Sequence, residues 1–175
     1  MALVPPLGFE PDEVKALLAP LRSRMSVAIW NCQNPFAVGA IVRVAHSFLP
    51  REVVIVGDAP YYEKASMGME KYEQIVRLPD LPAFFAHVQG RPIWSIEKDH
   101  ATVGLYDVER FPEDVVLVLG SERFGLPEEI IAASAAVVGI PMYGVNHSFP
   151  VAVAAGIVLS DWARRRANVT PSARE

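Results

Sequence analysis

Within "IPMYGVNHSFPVAVAAG" (140–156), an amide, an imidazole and a hydroxyl stand side by side as Asn146, His147 and Ser148, directly before an apolar helical run starting at Pro150. These groups donate and accept hydrogen bonds, and an imidazole exchanges a proton near neutral pH. A serine beside a histidine invites nucleophilic catalysis. Sequence neighbours seldom aim their side chains at each other, however, and the chemistry needs an orienting third group. Two structural uses stay open: Ser148 stands where its oxygen could cap the following helix, and Asn146 could hold the loop through Asx-type turns.

Other chemistries are excluded by residue type and spacing. Cys32 is the single cysteine, so neither an internal disulfide nor a cysteine cluster forms, and His46, His87, His100 and His147 lack ligand-like spacing. No metal site is expected. "WNCQNPFAVG" holds one glycine where a dinucleotide turn needs several, and no P-loop pattern occurs. "LGSERFG" is not the Gly-x-Ser-x-Gly elbow of a serine hydrolase.

The elements that must position these residues alternate in type. A helix after Pro11 carries Asp12 and Glu13 in its first turn and Val14, Leu17, Leu18 and Leu21 on one face, with Pro20 bending it or ending it early. Apolar runs at 26–30, 52–57, 92–97, 115–120 and 136–141 predict strands buried on both faces. Helical spacing in "VGAIVRVAHSF" (38–48), and helical candidates at 79–89, 127–135 and 150–166, fill the gaps. This alternation predicts an α/β fold with a mostly parallel sheet and helices on both faces. One domain over 1–175 is expected, with 1–25 a helical extension and 167–175 a polar, frayed tail. Ligands of such sheets gather at the carboxyl ends of strands, so "NCQNPFAVG", "GDAPYYEKASMGMEKYEQ", "LGSERFGLP" and "IPMYGVNHSFP" are the loops to inspect.

The chain has 175 residues, is 51% hydrophobic and 21% charged, and lacks a signal-peptide order at its start. A cytoplasmic protein without a membrane span is expected. A net charge of −4 argues against the general basic footprint of a nucleic-acid binder. The distribution softens that objection, because residues 97–129 hold nine acids and three bases, leaving +2 for the remainder. Arg164, Arg165 and Arg166 could reach a phosphate backbone or simply complement a helix C-terminus.

Three stretches, "AVGAIVR" (37–43), "LGSERFGL" (119–126) and "IPMYGVNHSFPVAVA" (140–154), resemble in order and spacing the three motifs of the SpoU/TrmH-like branch of the SPOUT RNA methyltransferases. "KASMGMEKYEQIV" (64–76) is similar to a weaker intermediate segment, and the resemblance covers roughly residues 26–166. It implies a C-terminal trefoil knot, a homodimer, and S-adenosylmethionine held by the second and third motif loops. Carried over by position, Gly120, Ile140, Met142 and Phe149 bind the cofactor, Phe149 standing where leucine is usual. An adenine needs an apolar slot with a few polar backbone groups, which these residue types suit, although Ile140 and Met142 also suit an ordinary core.

The implied reaction is transfer of a methyl group to the ribose 2′-hydroxyl of tRNA or rRNA. Arg43 occupies the motif-one arginine; a guanidinium holds its proton tightly, so a phosphate clamp and charge stabiliser suits it better than a general base. Glu122 and Ser148 join the implied catalytic set, and Glu122 could equally be a helix-entry charge. Two motif asparagines are replaced by Ala37 and Pro150, for which Asn34, or Asn146 with His147, could substitute. Those replacements keep two alternatives open: an RNA-binding protein that kept the knot but lost turnover, and a methyltransferase for another acceptor. RNA contact is expected from the dimer surface, the first helix, the 58–73 loop and the basic C-terminal helix.

Overall fold

The computed structural model describes residues 8–58 and 61–167; from residue 168 onward, the expected frayed tail lies outside them. Seven strands form one sheet: β1 (Ser26–Trp30), β2 (Val53–Val56), β3 (Ile75–Leu78), β4 (Ile93–Ile96), β5 (Val103–Gly104), β6 (Val116–Leu119) and β7 (Ala136–Gly139). Their spatial order is β3-β2-β1-β6-β4-β7-β5, and every pairing is parallel. β2 and β6 are apolar throughout, and β1 is apolar after Ser26, because both of their faces are covered.

The described residues form five α-helices: α1 (Pro11–Leu18), α2 (Pro35–His46), α3 (Leu81–His87), α4 (Glu128–Ala133) and α5 (Val151–Ala167). Alternate strand residues separate the core into two layers. Val27, Ile29, Leu117 and Leu119 pack with α2 and α5, while Ala28, Val54, Val116 and Val118 pack with Phe84 of α3 and Ile130 of α4. Helices therefore lie on both faces. α1 stops at Leu18 and Pro20 falls in a short 3₁₀ turn; Val14 and Leu18 are buried, whereas Leu17 and Leu21 are exposed, so the expected apolar face is only half used.

Two features escaped the pattern reading, β3 and β5. β3 carries Arg77 on a partly covered edge, and β5 is two residues long. A strand that short leaves no period to read.

The amino ends of the strands are tied by buried ion pairs. Arg22 holds Glu73 through two nitrogens at 2.8 and 3.1 Å, and His46 meets the same carboxylate at 2.7 Å. Glu52 is held by Ser26 at 2.8 Å, Arg91 at 3.1 Å and His87 at 3.1 Å. This end of the sheet is fixed by charge. The carboxyl end is built from loops. Among the described residues, no helix is long and apolar enough to cross a membrane.

Candidate active site

β4 lies between β6 and β7 in space although it precedes both in the chain, and its last residue, Ile96, pairs with Leu119 on one side and Val138 on the other. Three loops, 97–102, 120–127 and 140–150, therefore rise side by side from one floor. Between them lies a cavity of about 410 Å³, with Ile96, Leu119 and Val138 in its lining. That volume falls within the roughly 300–1,000 Å³ usual for small-molecule sites.

The 120–127 loop folds back on itself. Ser121 and Gly125 exchange both backbone hydrogen bonds, at 3.1 and 2.9 Å, and the Ser121 hydroxyl accepts from the Phe124 amide at 3.0 Å. Gly125 takes a left-handed φ of 63°. A Cβ on Gly120 would lie 2.6 Å from the Gly125 carbonyl carbon, so the close approach that demands glycine here is made by the chain's own backbone. Gly120 also stands in the lining of the cavity.

The 140–150 loop is held from outside by Lys98, whose Nζ donates to the His147 carbonyl at 2.7 Å. Glu97 organises the base of that contact, its Oε1 accepting from the amides of Lys98 at 2.7 Å and Asp99 at 3.2 Å. Asn146 Nδ2 donates to the Ser148 carbonyl at 3.5 Å, so the amide of the polar cluster does support its own loop. The first turn of α5 closes on the Pro150 carbonyl, from Val153 at 2.9 Å and Ala154 at 3.0 Å. Among the described residues the Ser148 hydroxyl makes no hydrogen bond to that turn. His147 and Ser148 instead line the cavity.

Of the residues singled out from sequence, Gly120, Glu122, Ile140, Met142, Ser148 and Phe149 line this one cavity. Ile140, Met142 and Phe149 are half-buried, and Glu122 and Ser148 are exposed at its edge. Arg43 and Asn34 are not in the lining. Asn34 caps α2, its side-chain oxygen accepting from the amides of Phe36 at 3.1 Å and Ala37 at 3.3 Å, so that oxygen is committed to the helix start. Arg43 is exposed on α2. Ala37 is buried.

Glu97 and Lys98 escaped the sequence reading, although a signal for them was present. They stand at the end of a predicted strand, the carboxyl end where such sheets bind ligands, but no family motif marks the loop after 92–97. Burial pushes the Cys32 thiol up, and Glu122 acts in the same direction, against a hydrogen bond to the Asn34 carbonyl. The thiol stays protonated and takes no nucleophilic part. Among the described residues, no group of three or more His, Cys, Asp or Glu could hold a metal ion.

The chain is 28% identical over 166 residues to the 23S rRNA (guanosine-2'-O-)-methyltransferase RlmB of Coxiella burnetii, covering 90% of itself and 66% of that protein. It is 27% identical over 150 residues to the tRNA (guanosine(18)-2'-O)-methyltransferase of Thermus thermophilus, covering 81% of itself and 75% of that protein. In three dimensions it resembles the SpoU methyltransferase AviRb of Streptomyces viridochromogenes in complex with AdoMet, with a TM-score of 0.75 and 25% identity over 83% of this chain and 59% of that one. The chain thus spans less than two thirds of the length of some of the proteins it matches. Its residues 24–160 match the SpoU rRNA Methylase family, and the chain belongs to that family.

Proposed function

We propose that the chain is an S-adenosylmethionine-dependent methyltransferase acting on the ribose 2′-hydroxyl of tRNA or rRNA. The observation that carries this reading is the convergence of three loops around one 410 Å³ cavity that holds the second and third motif residues. The relatives named above as RNA 2′-O-methyltransferases, and the likeness to a family member in complex with AdoMet, give that cavity its chemistry.

The residues present suit the cofactor. Ile140, Met142 and Phe149 would hold the adenine in an apolar slot, and the folded loop brings Gly120 and Gly125 into the same lining. When bound, the cofactor supplies a methyl group on a positively charged sulfur. Glu122 and Ser148, exposed at the edge, are the polar groups that would orient the incoming ribose.

Arg43 lies outside this lining, so in the present reading it serves the cavity of a second copy and the working form is a homodimer. Exposed apolar side chains on the same elements support this: Phe36 on α2, Tyr143 and Val145 on the third loop, and Val153 on α5. There Arg43 would clamp a substrate phosphate and stabilise developing charge. The threaded C-terminal path belongs to the same reading, supported by β7 lying beyond β4 although it follows β6 in the chain.

A competing reading, an RNA-binding protein without turnover, rests on Ala37 and Pro150. Ala37 offers no polar atom, and Pro150 serves the start of α5. Incubation with labelled S-adenosylmethionine and bulk tRNA and rRNA, followed by nucleoside analysis, decides between them. 2′-O-methylnucleosides are expected. Cofactor binding with no transfer would leave the binding reading, and a base-methylated product would overturn the ribose assignment.

A further inference from the structure

The sheet has a second cavity, at its opposite end. About 340 Å³ in volume, it is formed by the chain entering β1, the chain entering β6 and the last turns of α5. Five arginines line it, Arg22, Arg24, Arg110, Arg165 and Arg166, in a chain whose net charge is −4. The concentration of one residue type on three separate segments is what needs explaining.

Four of the five divide into two kinds. Arg22 and Arg165 are braced: Arg22 by Glu73 and the carbonyls of Pro50 and Tyr72, Arg165 by Asp161 and the carbonyls of Leu105 and Tyr106. Arg165 commits Nε and Nη2 to those partners, and its Nη1 has no hydrogen-bond partner among the described residues. A guanidinium held this firmly loses little further freedom when its remaining donors meet an anion. Arg110 and Arg166 are the second kind. Both are exposed, and neither forms an ion pair with a described residue. The Arg166 guanidinium carbon sits 5.5 Å from the centre of the Trp162 ring, which keeps that cation at the mouth.

Two glutamates, Glu109 and Glu113, share the mouth, and Glu113 lies 3.7 Å from Arg24 with both side chains largely exposed. A contact that loose gives way readily to a better anion. Asp161 is already bonded to Arg164 and Arg165, so it offers no competition from below. We infer that this cavity is a phosphate-binding subsite for the backbone of the RNA substrate, reached by a part of the RNA away from the methylated ribose. The inference rests on the RNA methyltransferase reading above. Arginine forks match phosphate oxygens, and no base-reading group is prominent, so the contact would position the RNA rather than select its sequence.

The test pairs Arg110→Gln with Arg166→Gln in the full chain. Affinity for fluorescently labelled tRNA and rRNA fragments is measured by anisotropy across a salt series. We expect the pair to weaken RNA binding roughly tenfold and to make the log Kd against log salt plot shallower by about two, one for each phosphate that the doubly substituted chain no longer neutralises. Lysines at both positions should restore the slope, since the charge returns without the fork. Calorimetry with S-adenosylmethionine should be unchanged, which separates this cavity from the cofactor site and reports that the fold is intact. Methyl transfer that persists with an unaltered salt slope overturns the subsite while leaving the activity standing. A wild-type chain that neither binds nor methylates RNA overturns both. Tight binding of adenosine monophosphate, abolished in the glutamine pair, would assign the arginines to a free phosphate ester and overturn the RNA assignment.

Discussion

Lys98 Nζ donates to the His147 carbonyl at 2.7 Å, joining the loop that follows β4 to the loop that follows β7 across 49 residues of chain. Both residues line the cavity, so the contact sets how far apart two of its walls stand. Lys98→Ala is expected to raise the Kd for S-adenosylmethionine by roughly fivefold, the equivalent of about 1 kcal/mol for a charge-assisted hydrogen bond that remains partly exposed. Calorimetry reads the change. An unaltered Kd would mean that the 140–150 loop holds its place without the lysine.

Gly120 meets the Gly125 carbonyl, and this contact predicts a different kind of loss. Gly120→Ala should force the folded-back loop open, lowering stability by about 1–3 kcal/mol and weakening cofactor binding in parallel. Thermal denaturation with and without S-adenosylmethionine measures both. A variant with wild-type Tm would show that the loop relaxes at no cost.

Arg43→Ala should reduce methyl transfer by about a hundredfold or more while leaving cofactor affinity intact, because Arg43 lies outside the cavity lining of its own chain. Mixing this variant with one whose cavity is filled by Met142→Trp should restore part of the activity, since one site of the mixed dimer would then have both an open cavity and a partner arginine. No recovery after verified subunit exchange would place Arg43 in service to its own chain.

Glu52 gives a prediction in pH. Burial alone would push its carboxyl up, but the Ser26 hydroxyl, His87 and the Arg91 guanidinium outweigh burial and hold it below the ordinary glutamate range. A carboxyl depressed in the folded state contributes stability above its unfolded value of about 4.3, and that contribution is lost as pH falls through the folded value. Glu52→Gln should therefore cost about 1–3 kcal/mol near pH 7 and much less in acid. Urea unfolding at about pH 7 and about pH 3.5 compares the two, and parallel losses at both would exclude Glu52 as the source of acid sensitivity.

The strands were legible because burial on both faces leaves no alternation: "VVIV" and "VLVL" announce themselves without a period to measure. Arg77 on β3 and the brevity of β5 hid the two edge strands for the converse reason. Strand order was not legible, since nothing local in β6 says that it lies between β1 and β4. That order is what brings Glu97 and Lys98 to the motif loops; their place at the end of a predicted strand was the one local sign, and no motif reinforced it. The motif residues reached one cavity because their spacing encodes which strand ends they occupy. Arg43 did not, because its placement on α2 is a property of how helices pack.

α5 begins beside the cofactor cavity, at Val151 and Ala154, and ends at the arginine cavity, at Trp162 and Arg165. One unbroken helix of 17 residues joins them, and at about 1.5 Å per residue the stretch between the two is a ruler of roughly 12–21 Å. An oligonucleotide too short to cover that span would forfeit one of its anchors, so intact RNA should be methylated more efficiently than a minimal fragment carrying the same target ribose.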